Sequence, residues 1–153
     1  MEKEMVILIA EDDMGHASLI QKNLRRAGVP NQFIHFKDGH EALDFLFRRT
    51  QEPHMVSGTP YLMLLDINMP RVDGTEVLRQ VKGDGELRKM PVIMLTTTDD
   101  PREVEQCHML GANGYIAKPV AYENFIETVK QLGLYLMVVK VPDIDGETQN
   151  VAG

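Results

Sequence analysis

Three apolar runs constrain this chain most: MVILIA (5–10), YLMLLD (61–66) and PVIMLT (91–96). None alternates polar with apolar residues. Strands that read this way are covered on both faces, which is the situation of a parallel sheet between helices. Two shorter runs, QFIHF (32–36) and GYIA (114–117), extend the series. The segments between them have helical spacing. HASLIQKNLRRAG (16–28) sets Leu19, Ile20 and Leu24 on one face and stops at Gly28-Val-Pro30. GHEALDFLFRR (39–49) carries Ala42, Leu43, Leu46 and Phe47, and GTEVLRQVKG (74–83) carries Val77, Leu78 and Val81. PREVEQCHMLGA (101–112) opens on a proline suited to a first helical turn and carries Val104, Cys107 and Leu110. AYENFIETVKQLGLYLMVV (121–139) supplies Phe125, Ile126, Val129 and Leu132. Strand followed by helix five times predicts an α/β fold: a doubly wound (βα)5 sandwich on a five-stranded parallel sheet, flavodoxin-like, with right-handed crossovers. The second strand, ending on Lys37-Asp38, is expected at an edge.

A chain of 153 residues fits one domain and can bury about two-thirds of its unfolded surface. We expect that domain over 1–140, with its core at about 5–137 and a Pro/Asp/Gly-rich flexible tail at 141–153. Asp143, Asp145 and Gly146 resemble a fragment of a calcium loop, but no glutamate follows at the required spacing. The formal charge of −7 argues against direct DNA binding and against an anionic membrane surface. The single cysteine, Cys107, cannot form an internal disulfide, and no apolar run approaches the ~18 residues of a membrane span. A cytoplasmic protein is the expectation.

In doubly wound folds, ligands gather beyond the carboxyl ends of the strands. There the first run delivers Glu11, Asp12 and Asp13, and the third delivers Asp66 and then Asn68. The fourth delivers Thr96, Thr97 and Thr98, and the fifth delivers Lys118-Pro119. Clustered carboxylates repel unless a cation joins them, and Mg²⁺ is the hard cation that takes oxygen ligands and bridges to phosphate. A carboxylate can attack phosphorus to give an acyl phosphate, and a hydroxyl and an ammonium can neutralise the phosphoryl oxygens. The chain carries no phosphate-cradling P-loop and no complete GxGxxG.

Taken together, ILIAEDD (7–13), LLDINMPRVDG (64–74), PVIMLTTT (91–98) and GYIAKPV (114–120) resemble the receiver domain of two-component response regulators. The resemblance covers roughly residues 5–137. It implies that Asp66 is the phospho-acceptor and Asp12 a direct metal ligand. Glu11 would hold the metal through water, and Asn68 would offer its backbone carbonyl. The metal would be Mg²⁺, with Mn²⁺ as a substitute. The resemblance also implies Thr96 as switch hydroxyl, Lys118 as the phosphoryl-contacting cation, Tyr115 as an aromatic that turns inward on activation, and a cis peptide before Pro119. Asp13, Thr97 and Thr98 are accessory candidates. Thr98 has no carboxylate or amide with which to orient a hydrolytic water, so self-dephosphorylation is expected to be slow.

The expected partner is a sensor histidine kinase or a histidine phosphotransfer protein. The connector at 50–60 and the extended LGLYLMVVKVP (132–142) are similar to single-domain receivers of bacterial phytochrome-type kinases. In that group the last helices and the extension form a homodimer. The chain is expected to accept phosphate, not to act as an enzyme on other substrates. An aspartyl phosphatase would want an acid where Asn68 stands, and a degenerate docking module would not need the whole set. The five histidines have no metal-ligand spacing, the ten methionines read as core, and Arg25-Arg26 and Arg48-Arg49 read as solvated helix ends.

Overall fold

In a computed structural model the described residues are 4–49, 51, 54–97 and 100–138. Five strands, β1 (Val6–Ala10), β2 (Phe33–Phe36), β3 (Tyr61–Asp66), β4 (Val92–Thr96) and β5 (Gly114–Ala117), form one parallel sheet in the order 2-1-3-4-5. The reversal of direction in that order falls between β1 and β3, the place where such sheets open a crevice. Helices α1 (Met14–Arg26), α2 (Gly39–Leu46), α3 (Gly74–Lys82), α4 (Pro101–Met109) and α5 (Tyr122–Gln131) fill the crossovers. A 3₁₀ turn, Leu87–Lys89, precedes β4.

The unbroken apolar strands serve two cores. Alternate residues point to opposite faces of a sheet. Ile7, Ile9, Leu62, Leu64, Ile93 and Leu95 therefore face α1 and α5, against Ile20, Leu24, Phe125 and Val129. Leu8, Met63, Leu65 and Met94 face α2, α3 and α4, against Leu43, Leu46, Leu78 and Cys107. Four helices begin with an aspartate that accepts a backbone N–H of the first turn: Asp13, Asp38, Asp73 and Asp100. Each such cap satisfies a donor that the helix cannot satisfy itself. Asp73, with Gly74 after it in the turn, is thus the N-cap of α3.

Two details differ from the sequence reading. Leu19 is not part of the buried face of α1: it is 44% exposed, and Ala17 packs inward instead. The last helical segment is not continuous. Gly133 adopts φ 74°, a left-handed conformation that glycine takes without steric penalty, and divides α5 from a short α6 (Tyr135–Val138). The amides of Gly133 and Leu134 turn back to the carbonyls of Lys130 and Val129, closing the helix end. After that break Tyr135 and Met137 pack against the core on the α1/α5 side, and Val138 is buried. The tail expected at 141–153 lies outside the described residues, as does Thr98.

Candidate functional site

Register determines which strand ends meet. Ala10 pairs with Leu65, Asp66 with Leu95, and Thr96 with Ala117. The residues just beyond those pairs (Glu11, Asp66, Thr96, Lys118) therefore share one level of the sheet's carboxyl edge. Glu11 is fully buried, Asp66 is 5% exposed and Thr96 is 7% exposed, whereas Asp12 is open to solvent. Carboxylate oxygens of Glu11, Asp12 and Asp66 all lie within 4.8 Å of one another.

One ammonium joins this group. Lys118 Nζ lies 2.6 Å from Glu11 Oε1 and 3.4 Å from Asp66 Oδ2. Burial pulls the lysine down, but the hydrogen bond to Glu11 and the charges of Asp66 and Glu11 outweigh it, and the net shift is upward. For Asp66 the charged form is instead the disfavoured one. Burial first, and the Glu11 charge second, push it up to about 6, although Lys118 and the Asn68 N–H oppose the shift. The site thus holds more negative charge than its own lysine compensates. Hard oxygen donors in that state are the set that a small divalent cation takes. Glu11, Asp12 and Asp66 are the residues that would hold one.

The surrounding structure fixes these groups in place. Glu11 Oε2 accepts the Asp13 N–H at 3.1 Å, and the Glu11 carbonyl accepts Nε2–H of His35 at 2.7 Å. Asp13 itself accepts the His16 N–H at 3.0 Å, which holds its carboxyl below the usual range, and it stands outside the three-carboxylate group. Asn68 is exposed on the β3–α3 loop. That loop is tied back at both ends: Ile67 N–H reaches Leu95 O at 3.2 Å, and Gly74 N–H reaches Ile67 O at 2.7 Å. In its middle, Arg71 pairs with the buried Asp38 at 3.5 Å. The Lys118–Pro119 peptide is cis. The Tyr115 hydroxyl, half-buried, donates to the Val104 carbonyl of α4 at 3.1 Å, and burial pushes its pKa up. Thr97 is exposed and lines a cleft of about 310 Å³ with His16, Leu19, Lys118 and Pro119.

Sequence reasoning missed three supports. At Gly74 a Cβ would stand 2.0 Å from the Asp66 carbonyl oxygen, so the glycine is what allows α3 to start against the acid's own backbone. The Asp-Gly pair signalled a turn but not this approach. His35 was read as a scattered histidine, and nothing in its neighbourhood of the sequence predicts a bond across to β1. The Asp38–Arg71 pair joins loops 33 residues apart in the chain, and no local pattern announces it.

The response regulator receiver domain family matches residues 7–130. The chain belongs to that family. The receiver is 48% identical to a solved receiver domain from Rhodospirillum rubrum, with a TM-score of 0.71 over 95% of this chain and 100% of that one. It is 36% identical to the bacteriophytochrome response regulator RtBRR, with a TM-score of 0.78 over 92% of this chain and 83% of the other. Response regulator Rcp1 of Synechocystis sp. is 32% identical over 90% of this chain and 92% of that protein. Its Mn²⁺-bound form has been solved, and the receiver overlays on it with a TM-score of 0.68 at 29% identity over 87% and 94% of the two chains.

Proposed function

We propose that this receiver accepts a phosphoryl group from a phosphohistidine onto Asp66, and that the resulting charge resets the contacts of its α4–β5–α5 side. The observation that carries the reading is the position of Asp66: a buried carboxylate at a strand end, between two further carboxylates and a lysine. One Asp66 oxygen attacks phosphorus while the P–N bond breaks, and the imidazole leaves with that electron pair. A bound Mg²⁺, or Mn²⁺ in its place, would supply positive charge to the phosphoryl oxygens, held by Glu11, Asp12, Asp66 and the Asn68 carbonyl. The Mn²⁺-bound state of Rcp1 supports that assignment by likeness.

Lys118 neutralises the phosphoryl group once it is in place, and Thr96 offers its hydroxyl from the neighbouring strand. Both act as pre-positioned groups, which is where phosphoryl transfer gains most of its rate. In the unphosphorylated protein Lys118 is already committed to Glu11 and Asp66. Phosphorylation therefore redistributes its contacts and does not recruit it from solvent. Tyr115 transmits the change, because its hydroxyl is bonded to the backbone of α4. A new charge that biases a two-state element is the general logic of such switches.

The donor is a sensor histidine kinase, of the phytochrome type by likeness to RtBRR, or a histidine phosphotransfer protein. A homodimer through α4, α5 and the C-terminal extension belongs to the same reading. Mixing the receiver with autophosphorylated, radiolabelled kinase tests it. Label should move to the receiver only with divalent cation and should not move to Asp66→Ala. Label on Asp66→Ala, or transfer undiminished in excess chelator, would overturn it.

A further inference from the structure

We propose, resting on the reading of Glu11, Asp12 and Asp66 as the cation site, that His35 is a positioning residue for it. From β2, on the other side of β1 from Asp66, His35 fixes the peptide that carries Asp12.

Of the three carboxylates, Asp12 is the one the fold holds least directly. Glu11 is fully buried, with one oxygen 2.6 Å from Lys118 Nζ, and Asp66 is buried at the end of β3. Asp12 is exposed and lies beyond the last residue of β1. Its side chain has no hydrogen bond or ion pair among the described residues. Yet one of its oxygens stands within 4.8 Å of oxygens of the other two. Its direction is therefore set by the backbone on either side of it.

Both flanking peptides are anchored. The one after Asp12 donates the Asp13 N–H to Glu11 Oε2 at 3.1 Å. The one before it accepts, through the Glu11 carbonyl, Nε2–H of His35 at 2.7 Å. A carbonyl oxygen can only accept, so Nε2 is the ring nitrogen that carries a proton. Two anchored peptides leave Asp12 little freedom beyond its own side-chain rotation. Glu11 is itself part of the cation site, so His35 is the anchor supplied from outside it.

The sheet explains why a side chain is needed there. β1 and β2 pair from Ile7↔Phe33 to Ala10↔Phe36, and the last rung is Glu11 N–H to Phe36 O at 3.0 Å. The next rung would bring a β2 amide to the Glu11 carbonyl. By then the chain has left the sheet, because β2 ends at Phe36 and Asp38 caps α2. No backbone N–H of the described residues reaches that carbonyl. The His35 ring, on the face of β2 that borders α1 with Met14, Ala17 and Ser18, takes the missing rung. An imidazole has only two side-chain torsions, so it holds an N–H in place at less entropic cost than a long ammonium side chain would.

The test measures cation affinity on the full chain, with Mn²⁺ as the probe, from the loss of the free ion's paramagnetic resonance signal. His35→Phe keeps a ring of similar size and removes the donor. It should weaken Mn²⁺ binding by about tenfold, the scale on which groups that orient metal ligands act. His35→Gln, whose amide nitrogen can stand where Nε2 stands, should recover most of that loss. In an Asp12→Ala background His35→Phe should cost nothing further, because two changes on one route do not add. Two readouts need no metal. In the wild type the His35 Nε2–H should be visible by NMR as a ring proton protected from exchange. In His35→Phe the amide signals of Asp12 and Asp13 should shift while that of Ile116 in β5 stays. An Mn²⁺ affinity unchanged in His35→Phe would overturn the proposal. So would a failure of His35→Gln to rescue, an undiminished further loss in the Asp12→Ala background, or a freely exchanging ring N–H. A wild type that binds no Mn²⁺ would overturn the cation site itself, and the role of His35 with it.

Discussion

Leu65 and Asp66 are neighbours on one strand, both almost inaccessible to water, and they are buried for opposite reasons. Leu65 is fully buried among the side chains of α2 and α3, and its burial stabilises the fold. Asp66 is 95% removed from solvent, yet its charged form is penalised there, as its rise to about 6 records. The middle of the sheet makes the protein stable; its carboxyl edge draws on that stability to keep charges in a place they would not choose. This division explains why the strands are so uniformly apolar. Only a rigid, well-packed frame can hold Glu11 and Asp66 together within reach of the one ammonium of Lys118.

The largest effect should come from the frame. Leu64→Ala, at a fully buried position, is expected to lower unfolding free energy by roughly 2–5 kcal/mol, read by urea denaturation. A loss under about 1 kcal/mol would mean that the core tolerates a cavity better than its packing implies. Gly74→Ala lies where frame meets site. Its Cβ would collide with the Asp66 carbonyl, so it should destabilise by more than the ~1 kcal/mol that the change would gain in an unobstructed helix. It should also slow labelling of Asp66 by displacing the acid's backbone.

The edge predicts the reverse sign. Asp66→Asn should stabilise the metal-free protein at neutral pH by on the order of 1 kcal/mol, since it removes a charge that burial and the neighbouring Glu11 disfavour, discounted for solvent screening. The pH dependence follows from that direction. The folded state holds the Asp66 proton more tightly than the unfolded chain does, so the penalty is absent below 3.8, grows as pH rises, and is complete above about 6. The advantage of the asparagine variant should therefore vanish in denaturation at acid pH and should shrink at neutral pH when Mg²⁺ is added to the wild type. An equal advantage at both pH values would assign the effect to packing. The smallest effect should be that of Tyr115→Phe. Removing one half-buried hydrogen bond to Val104 is expected to change stability by about 0.5–1.5 kcal/mol, with transfer onto Asp66 retained and the response of α4 weakened in hydrogen exchange.

Much of this division was legible in the sequence. Continuous apolar runs with an acid, a hydroxyl or a lysine at the end state both halves at once, because burial on two faces and a carboxyl-edge site leave different local marks. What stayed illegible depends on register. Glu11 and Lys118 are 107 residues apart and meet only because β1, β3, β4 and β5 align as they do. The direct hold of Lys118 on Glu11 could not be read from residue types, which suit a metal equally well. The bond from His35 to the Glu11 carbonyl has the same origin. The exposure of Leu19 was missed because helical periodicity defines a face to within about one residue, and here the smaller Ala17 takes the inner position. The break at Gly133 was missed because a single glycine inside an apolar helical pattern is compatible with both a bend and a continuous helix.

The central claim is that the buried acid at the end of β3 is the phosphoryl acceptor and that the rest of the edge exists to serve it. Peptide mapping by mass spectrometry after phosphotransfer, with reductive trapping of the acyl phosphate, tests this most directly. The account predicts a single modified residue, Asp66, in the wild type and no modified carboxylate in Asp66→Asn. Modification at Asp12, Asp13 or any residue outside the 61–70 stretch, with Asp66 unmarked, would contradict it.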